Sequence, residues 1–99
     1  MPKFNRRTFT AFRKVVATAG TAEQLHTDLP IPDQFALVIK ALDGNAGNVE
    51  IAETEQKANG SEVFILDAGQ SISLYVRNAN AVWMDVTTSG EGVVCMVEQ

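Results

Sequence analysis

Apolar and polar residues alternate along most of this chain, and turn-forming residues interrupt the alternation at short intervals. A period of two residues is typical of β-strands that bury one face and expose the other. Residues 71–77 show the pattern most clearly, since Ile72, Leu74 and Val76 share one parity while Tyr75 and polar residues occupy the other. No stretch longer than six residues has a convincing apolar stripe at helical spacing. The pattern predicts strands, and we expect an all-β fold.

Seven or eight short strands account for the alternating segments. They are predicted at residues 8–18, 35–42, 49–53, 62–66, 71–77, 81–87 and 93–97, and residues 21–27 form either a turn or a short edge strand. Turn signals separate them about every 8–12 residues, which is typical of β-sandwiches and barrels. We therefore expect a small antiparallel β-sandwich, or a jelly-roll-like barrel, of seven to eight strands. Alternation alone leaves the strand order open.

Three segments carry more specific predictions. Residues 35–42 are apolar at nearly every position, so this strand should be central, buried on both sides or lying at an interface. Residues 29–33 contain two prolines, which lack the backbone N–H that a central strand donates, and should form a crossing loop. In residues 62–66, Val63 and Ile65 are expected to face the core.

The charge is divided unevenly along the chain, whose formal net charge is −4. Residues 1–14 contain five basic residues and no acidic residue, whereas residues 15–99 contain three bases and all twelve acids. Three of the five phenylalanines also lie in residues 1–14, and a disordered tail is usually poor in aromatic residues. We therefore divide the chain into a basic, aromatic N-terminal arm, residues 1–14, and a β-sandwich domain, residues 15–99.

The N-terminal arm is the predicted partner-binding segment. Its candidate contact residues are Lys3, Phe4, Arg6, Arg7, Phe9, Phe12, Arg13 and Lys14. A basic segment beside an acidic domain suits an acidic partner surface, a neighbouring copy of the same acidic domain, or nucleic acid. The acidic domain opposes the nucleic-acid alternative, since phosphate backbones repel carboxylates.

Residues that could carry catalysis are few. His26 is the single histidine and lies in a polar, turn-like segment, so we expect an exposed loop residue rather than part of a catalytic triad. Cys95 is the single cysteine and lies in an apolar strand, where a cysteine is usually an inert core residue. A lone cysteine cannot form an internal disulfide, which favours synthesis in a reducing compartment. We predict no catalytic residues and no enzymatic activity.

Oxygen-bearing side chains cluster in one turn, at Asp43, Asn45, Asn48 and Glu50. Their spacing suits calcium, but the segment lacks the acid-rich loop of an EF-hand. Asn and Asp side chains more often close turns by bonding to nearby backbone. We therefore expect no metal and, because the glycines fall singly at turns, no phosphate loop or other cofactor site. The sequence also shows no apolar run long enough to span a membrane and no signal-peptide pattern.

Three aromatic residues form a possible interface. Phe64, Tyr75 and Trp83 all have the parity opposite to the core in their predicted strands. One alternative is burial of these rings against another subunit or against the arm. The other alternative is an exposed aromatic platform for a sugar ring.

Several turn-and-strand segments resemble one known group of proteins. They are AGTAEQL at residues 19–25, GNVEI at 47–51, LDAGQSISL at 66–74 and NANAVW at 78–83. This succession resembles the small β-sandwich virion proteins of tailed bacteriophages, and the arm lies outside the resemblance. What the resemblance implies is a capsid decoration, or cement, protein. Such a protein is made in the host cytoplasm and sits on the capsid surface of the virion.

The resemblance also implies partners. They are the major capsid protein or other virion subunits, together with copies of the same chain, commonly in trimers. The basic arm suits a clamp that bridges adjacent shell subunits by pairing with sheet edges. The alternative function is a carbohydrate- or receptor-binding module of a phage particle, which requires Tyr75 and Trp83 to be exposed together.

Overall fold

The computed structural model describes residues 8–98 of the 99-residue chain. Two antiparallel four-stranded sheets make up most of the fold, which confirms the predicted all-β class. The strands are β1 (Phe9–Val15), β2 (Glu23–Gln24), β3 (Leu37–Ala41), β4 (Val49–Ala52), β5 (Phe64–Leu66), β6 (Ser71–Leu74), β7 (Trp83–Val86) and β8 (Gly92–Glu98). A helical turn, α1 (Glu55–Ala58), follows β4, and a 3-10 turn (Ala79–Ala81) precedes β7. Within residues 8–98, no helix is both long and apolar enough to cross a membrane.

The two sheets pack face to face around one apolar core. Sheet A has the strand order β1-β8-β3-β6, and sheet B has the order β2-β7-β4-β5. The largest fully buried side chains are Leu25, Leu37, Ile39, Met84, Val16, Val49, Val86, Val93, Val97 and Cys95. Each sheet therefore has an inner face, which points at the other sheet, and an outer face. This arrangement is that of a small β-sandwich.

The predicted central strand corresponds to β3, which pairs with β8 on one side and with β6 on the other. Leu37, Ile39 and Ala41 are fully buried on the inner face of β3. Val38 and Lys40 lie on its outer face and are only half-buried. The apolar run at residues 35–42 thus has one side in the core and one side that is partly exposed.

The first strand forms one edge of sheet A. β1 runs antiparallel to β8 along its whole length, and residues 9–14 of the N-terminal arm belong to this strand. Phe12 lies opposite the buried Cys95, which gives Phe12 and Lys14 the inner parity, whereas Phe9 and Arg13 have the outer parity. The remaining arm residues predicted to bind a partner lie outside the described residues: Lys3, Phe4, Arg6 and Arg7.

The pairing of β5 corrects two predictions. β5 pairs with β4 so that Leu66 lies opposite Val49 and Phe64 lies opposite Ile51. Val49 and Ile51 are buried in the core, so Leu66 and Phe64 take the inner parity. The predicted inward orientation of Ile65 is wrong, since this residue is 51% exposed, and Phe64 does not have the outer parity predicted for it. Every residue in this strand is apolar, so the partner strand, and not alternation, determines which side faces the core.

The polar segment after β4 contains a helical turn that alternation does not predict. Thr54 caps α1, because its side-chain oxygen accepts a hydrogen bond from the Lys57 backbone N–H at 3.2 Å. Ala58 is fully buried, and α1 contacts β4 and β7. The Asn59 side chain accepts a hydrogen bond from the Ala22 backbone N–H at 2.9 Å. This bond connects the helical turn to the loop before β2.

Candidate functional site

Sheet A presents a group of exposed apolar side chains on its outer face. The residues are Phe9, Val15, Val94 and Met96, which are 62%, 38%, 36% and 42% exposed. Phe9 and Val15 come from β1, and Val94 and Met96 come from β8, so the group spans two neighbouring strands. We call this surface the outer face of sheet A.

The strand register arranges the outer face of sheet A in rows. Val94 pairs with Arg13 on one side and with Lys40 on the other, so these three residues form a row with two bases. The next row is apolar over three strands, with Ala11, Met96 and Val38, and ends at Ser73 on β6. A depression of about 190 Å³ lies beyond it, lined by Phe9, Ala36, Val38, Met96 and Glu98. The outer face can therefore contact an apolar surface while Arg13 contacts a carboxylate, whereas Lys40 Nζ already lies 3.4 Å from Asp43 Oδ1.

The inner side of β1 closes one side of the sandwich. The Phe12 ring packs edge-on against the His26 ring, with their centroids 5.1 Å apart. Lys14 Nζ lies 2.8 Å from Glu23 Oε1, and the other Glu23 oxygen accepts from the Ala17 backbone N–H at 3.1 Å. The hydrogen bond from Lys14 is the main cause that lowers the pKa of Glu23 below its ordinary value. Two predicted partner-binding residues, Phe12 and Lys14, thus connect the two sheets.

The single histidine takes part in this closure. His26 is half-buried rather than exposed, because its ring lies against Phe12. Its Nδ1 accepts a hydrogen bond from the Asp28 backbone N–H at 3.1 Å, which shapes the loop after β2. These contacts give His26 a structural role at the side where β1 and β2 meet.

The opposite side of the sandwich is open. There β5 of sheet B and β6 of sheet A flank a mainly apolar cleft of about 430 Å³, which we call the β5–β6 cleft. Its lining residues are Ile51, Ala52, Glu53, Phe64, Ile72, Ser73, Leu74, Val76, Ala81 and Val82. Phe64 is 59% exposed at this site although it has the inner parity of β5. Sequence reasoning missed the cleft, because its two walls belong to different sheets.

The three aromatic residues predicted as an interface lie in different places. Phe64 lines the β5–β6 cleft, and Tyr75 follows β6 in sheet A, where it is 76% exposed. Trp83 is half-buried on the outer face of sheet B, opposite Gln24 and Ala52. Among residues 8–98, the structure does not bring these rings together.

Hydrogen bonds within the protein account for the Asp43–Glu50 turn. Asn45 donates from Nδ2 to the Gly92 carbonyl at 2.9 Å, and the Glu91 carboxylate accepts from the backbone N–H groups of Ala46 and Gly47 at 2.6 and 2.9 Å. Glu50 lies on β4, opposite Asp85. Burial, and secondarily the charge of Asp85, raises the pKa of Glu50. In the described part of the chain, no three His, Cys, Asp or Glu side chains are grouped so that they could hold a metal ion.

Two further residues, Cys95 and Asp85, are buried, and their surroundings indicate structural roles. Cys95 is 1% exposed, and burial raises its pKa to about 12, so the sulfur stays a neutral thiol at ordinary pH. Asp85 is 3% exposed, and its carboxylate accepts from the backbone N–H groups of Gly20 and Val86 at 3.0 and 2.7 Å. Asp85 thereby holds the loop between β1 and β2 against sheet B.

The residues of the outer face of sheet A were only partly predictable. Arg13 and Phe9 were among the predicted arm residues, whereas Val38, Val94 and Met96 were not singled out. The signal that could have found them is that β3 and β8 are apolar at almost every position, which indicates two apolar faces.

Comparisons with protein-family models, with curated proteins and with solved structures return no match for this chain. The fold therefore stands on the structure alone. The resemblance to virion proteins, and the function that it implies, stay predictions.

Proposed function

We propose that this chain is a non-enzymatic structural protein of a phage particle, which decorates the capsid by binding neighbouring shell subunits. The outer face of sheet A, including the basic first strand, is the proposed binding surface. The observation that carries the proposal is the apolar row of Ala11, Met96 and Val38 beside the row that contains Arg13 and Lys40. A contiguous apolar patch with a polar border is typical of a protein interaction surface.

The size of this face favours many weak contacts over one strong contact. Three strand spacings of about 4.8 Å and seven residues at about 3.3 Å give roughly 14 by 23 Å, or about 320 Å² of flat area. A stable complex usually buries about 800 Å² on each partner. One copy should therefore bind weakly, and a shell that presents many equivalent sites would retain the protein through avidity.

The sequence and the charge agree with this role. The turn-and-strand segments resemble those of virion β-sandwich proteins, and residues 15–99 carry all twelve acids. A basic row on an otherwise acidic domain directs that face, and not the remaining surface, toward an acidic partner. The sugar-binding alternative has less support, because Tyr75 and Trp83 lie in different sheets and do not form one platform.

The test uses particles assembled from the genome that encodes this chain, with and without its gene. Recombinant protein is added to particles that lack it, and binding is measured by co-sedimentation, with electron microscopy to locate the added density. We expect binding to assembled shells and not to free shell subunits. Met96→Thr keeps a strand-forming residue but removes apolar contact area, so it should weaken shell binding about tenfold.

The matched control is Ile65→Thr, which makes a similar change at an exposed residue on the outer face of sheet B. This variant should bind shells as the unaltered protein does. Equal weakening by both variants, or no density on the particles, would contradict the proposal.

A further inference from the structure

The β5–β6 cleft lies between two unpaired sheet edges. In the described part of the chain, β5 pairs with β4 alone, and β6 pairs with β3 alone. An edge strand presents backbone N–H and C=O groups on the side that has no neighbour. A cleft with such an edge on each wall can receive apolar side chains and hydrogen-bond an extended peptide at the same time.

We propose that the N-terminal segment of a second copy of this chain, residues 1–7, binds along the β5–β6 cleft as an added strand. In this arrangement the Phe4 ring enters the apolar part of the cleft, beside Phe64 and Leu74. This self-association goes beyond the proposed function, because it requires no capsid shell.

The charges of the two surfaces are complementary. Residues 1–7 contain Lys3, Arg6 and Arg7 and no acid. Glu53 lines the cleft, and Glu62 lies two residues before β5. Both carboxylates lie close enough to Lys57 to raise the pKa of its amine, and the hydrogen bond that Lys57 donates to Glu53 is the main cause. Glu53 and Glu62 together with Lys57 leave one net negative charge at this border of the cleft, where the bases of an incoming segment would lie.

The volume of the cleft is suitable for this occupant. About 430 Å³ falls within the range of about 300–1,000 Å³ that is usual for binding pockets. Seven aliphatic residues and one aromatic residue line its apolar part: Ile51, Ala52, Ile72, Leu74, Val76, Ala81, Val82 and Phe64. An aromatic ring that enters this space would cover side chains that the sandwich itself leaves partly exposed.

The reach of the chain favours a second copy over the segment's own molecule. β1 and β6 are the two opposite edges of sheet A, separated by three strand spacings, or about 14 Å. The five residue-to-residue steps from Phe4 to Phe9 span at most about 17 Å when fully extended. A segment of the same molecule that crossed the outer face of sheet A from β1 to β6 would use almost all of that length. The cleft lies beyond β6, on the side of sheet B, so such a segment would have to reach still farther. A segment from another copy has no such restriction, and a head-to-tail contact of this kind can close into a ring.

The experiment traps the contact with disulfides between two variants of the full chain, each with one introduced cysteine in addition to Cys95. Isotope-labelled Phe4→Cys protein is mixed with unlabelled Phe64→Cys protein under mild oxidation, and heterodimers are identified by a mass between those of the two homodimers. Phe64 is 59% exposed, so its replacement should be tolerated. Cys95 is buried and should contribute little background. The control pair is Phe4→Cys with Ile65→Cys, since Ile65 is similarly exposed but faces away from the cleft.

We expect the Phe64 pair to form heterodimers at least ten times faster than the Ile65 pair. We also expect deletion of residues 2–7, which leaves β1 intact, to lower the association constant measured by sedimentation at least tenfold. Equal rates for the two pairs would overturn the inference, as would unchanged association after the deletion. A chain that carries both Phe4→Cys and Phe64→Cys can be oxidised at high dilution. If it then forms mainly intrachain disulfides, the inference is overturned, because the cleft binds the segment of its own molecule. A small apolar molecule retained in native mass spectra would overturn it in favour of that ligand.

Discussion

The two sides of this sandwich, where edge strands of both sheets lie next to each other, are filled to different extents. On one side, where β1 and β2 meet, the Phe12 ring packs against His26 and Lys14 forms an ion pair with Glu23. On the other side, between β5 and β6, apolar side chains border a cleft of about 430 Å³. Side-chain contacts join the two sheets at the β1–β2 side, and the β5–β6 cleft separates them at the other. We infer that the first side supports the fold and that the second is available for binding.

The reach of the inner side chains explains the difference. β1 has seven residues, and its inner side chains at positions 12 and 14 are long enough to contact sheet B. β5 has only three residues, and the inner side chains of β6 are the branched aliphatics Ile72 and Leu74. These shorter groups leave the gap between the sheets unfilled. The comparison predicts that equivalent changes on the two sides will have unequal effects.

The largest effect is expected from Gly92→Ala, which acts where β1 packs against β8. A Cβ at this position would meet the backbone carbonyl of Lys14 and would lie 2.7 Å from Val15 Cα. The strands must then separate, so the free energy of unfolding should fall by about 2–3 kcal/mol in chemical denaturation. Gly44→Ala is the control, because a Cβ there has no atom within 4 Å. A Gly92→Ala protein as stable as the Gly44→Ala protein would show that β1 is not needed to close this side.

A phenylalanine deletion on each side tests the comparison directly. Phe12 is half-buried and packs against the core, so Phe12→Ala should lower the free energy of unfolding by about 2 kcal/mol, roughly half the cost at a fully buried site. Phe64 is 59% exposed in the β5–β6 cleft, so Phe64→Ala should cost less than about 1 kcal/mol. The measurement that checks both values is urea denaturation at low protein concentration. A larger loss for Phe64→Ala would mean that the cleft, too, supports the isolated fold.

The sequence predicts β6 better than β5 for a physical reason. In residues 71–74 the outer positions are Ser71 and Ser73, so alternation identifies the face that the core buries. In residues 63–66 every position is apolar, and only pairing with β4 decides that Leu66 faces inward. The same ambiguity hid Val94 and Met96, since β8 is apolar on both faces.

The candidate sites depend even more on strand order. The composition of residues 1–14 identifies a basic and aromatic segment. It does not show that residues 9–14 form an edge strand that pairs with β8. The β5–β6 cleft exists because the edges of two different sheets lie on the same side. Strand order is a long-range property of the whole fold, and local sequence patterns do not encode it.

The two smallest expected effects concern one ion pair on each side, and the larger of them belongs to the closed side. The folded pKa of Glu23 is lowered by Lys14, so this carboxylate stabilises the fold above its unfolded pKa, and that stabilisation is lost as pH falls through the folded value. Glu23→Gln should therefore lower the free energy of unfolding by about 0.5 kcal/mol at pH 7, because both partners are partly exposed. Below the folded pKa the variant and the original protein should be equally stable.

Glu53→Gln provides the comparison on the open side, where Glu53 lies 2.9 Å from Lys57 but is 74% exposed. Solvent screening should make the effect of this change too small to measure at pH 7. Denaturation curves of both variants between pH 3 and pH 8 would check the expectation. A pH-independent loss for Glu23→Gln would show that the charge of this carboxylate, whose pKa the hydrogen bonds from Lys14 and Ala17 lower, does not account for the cost of the substitution.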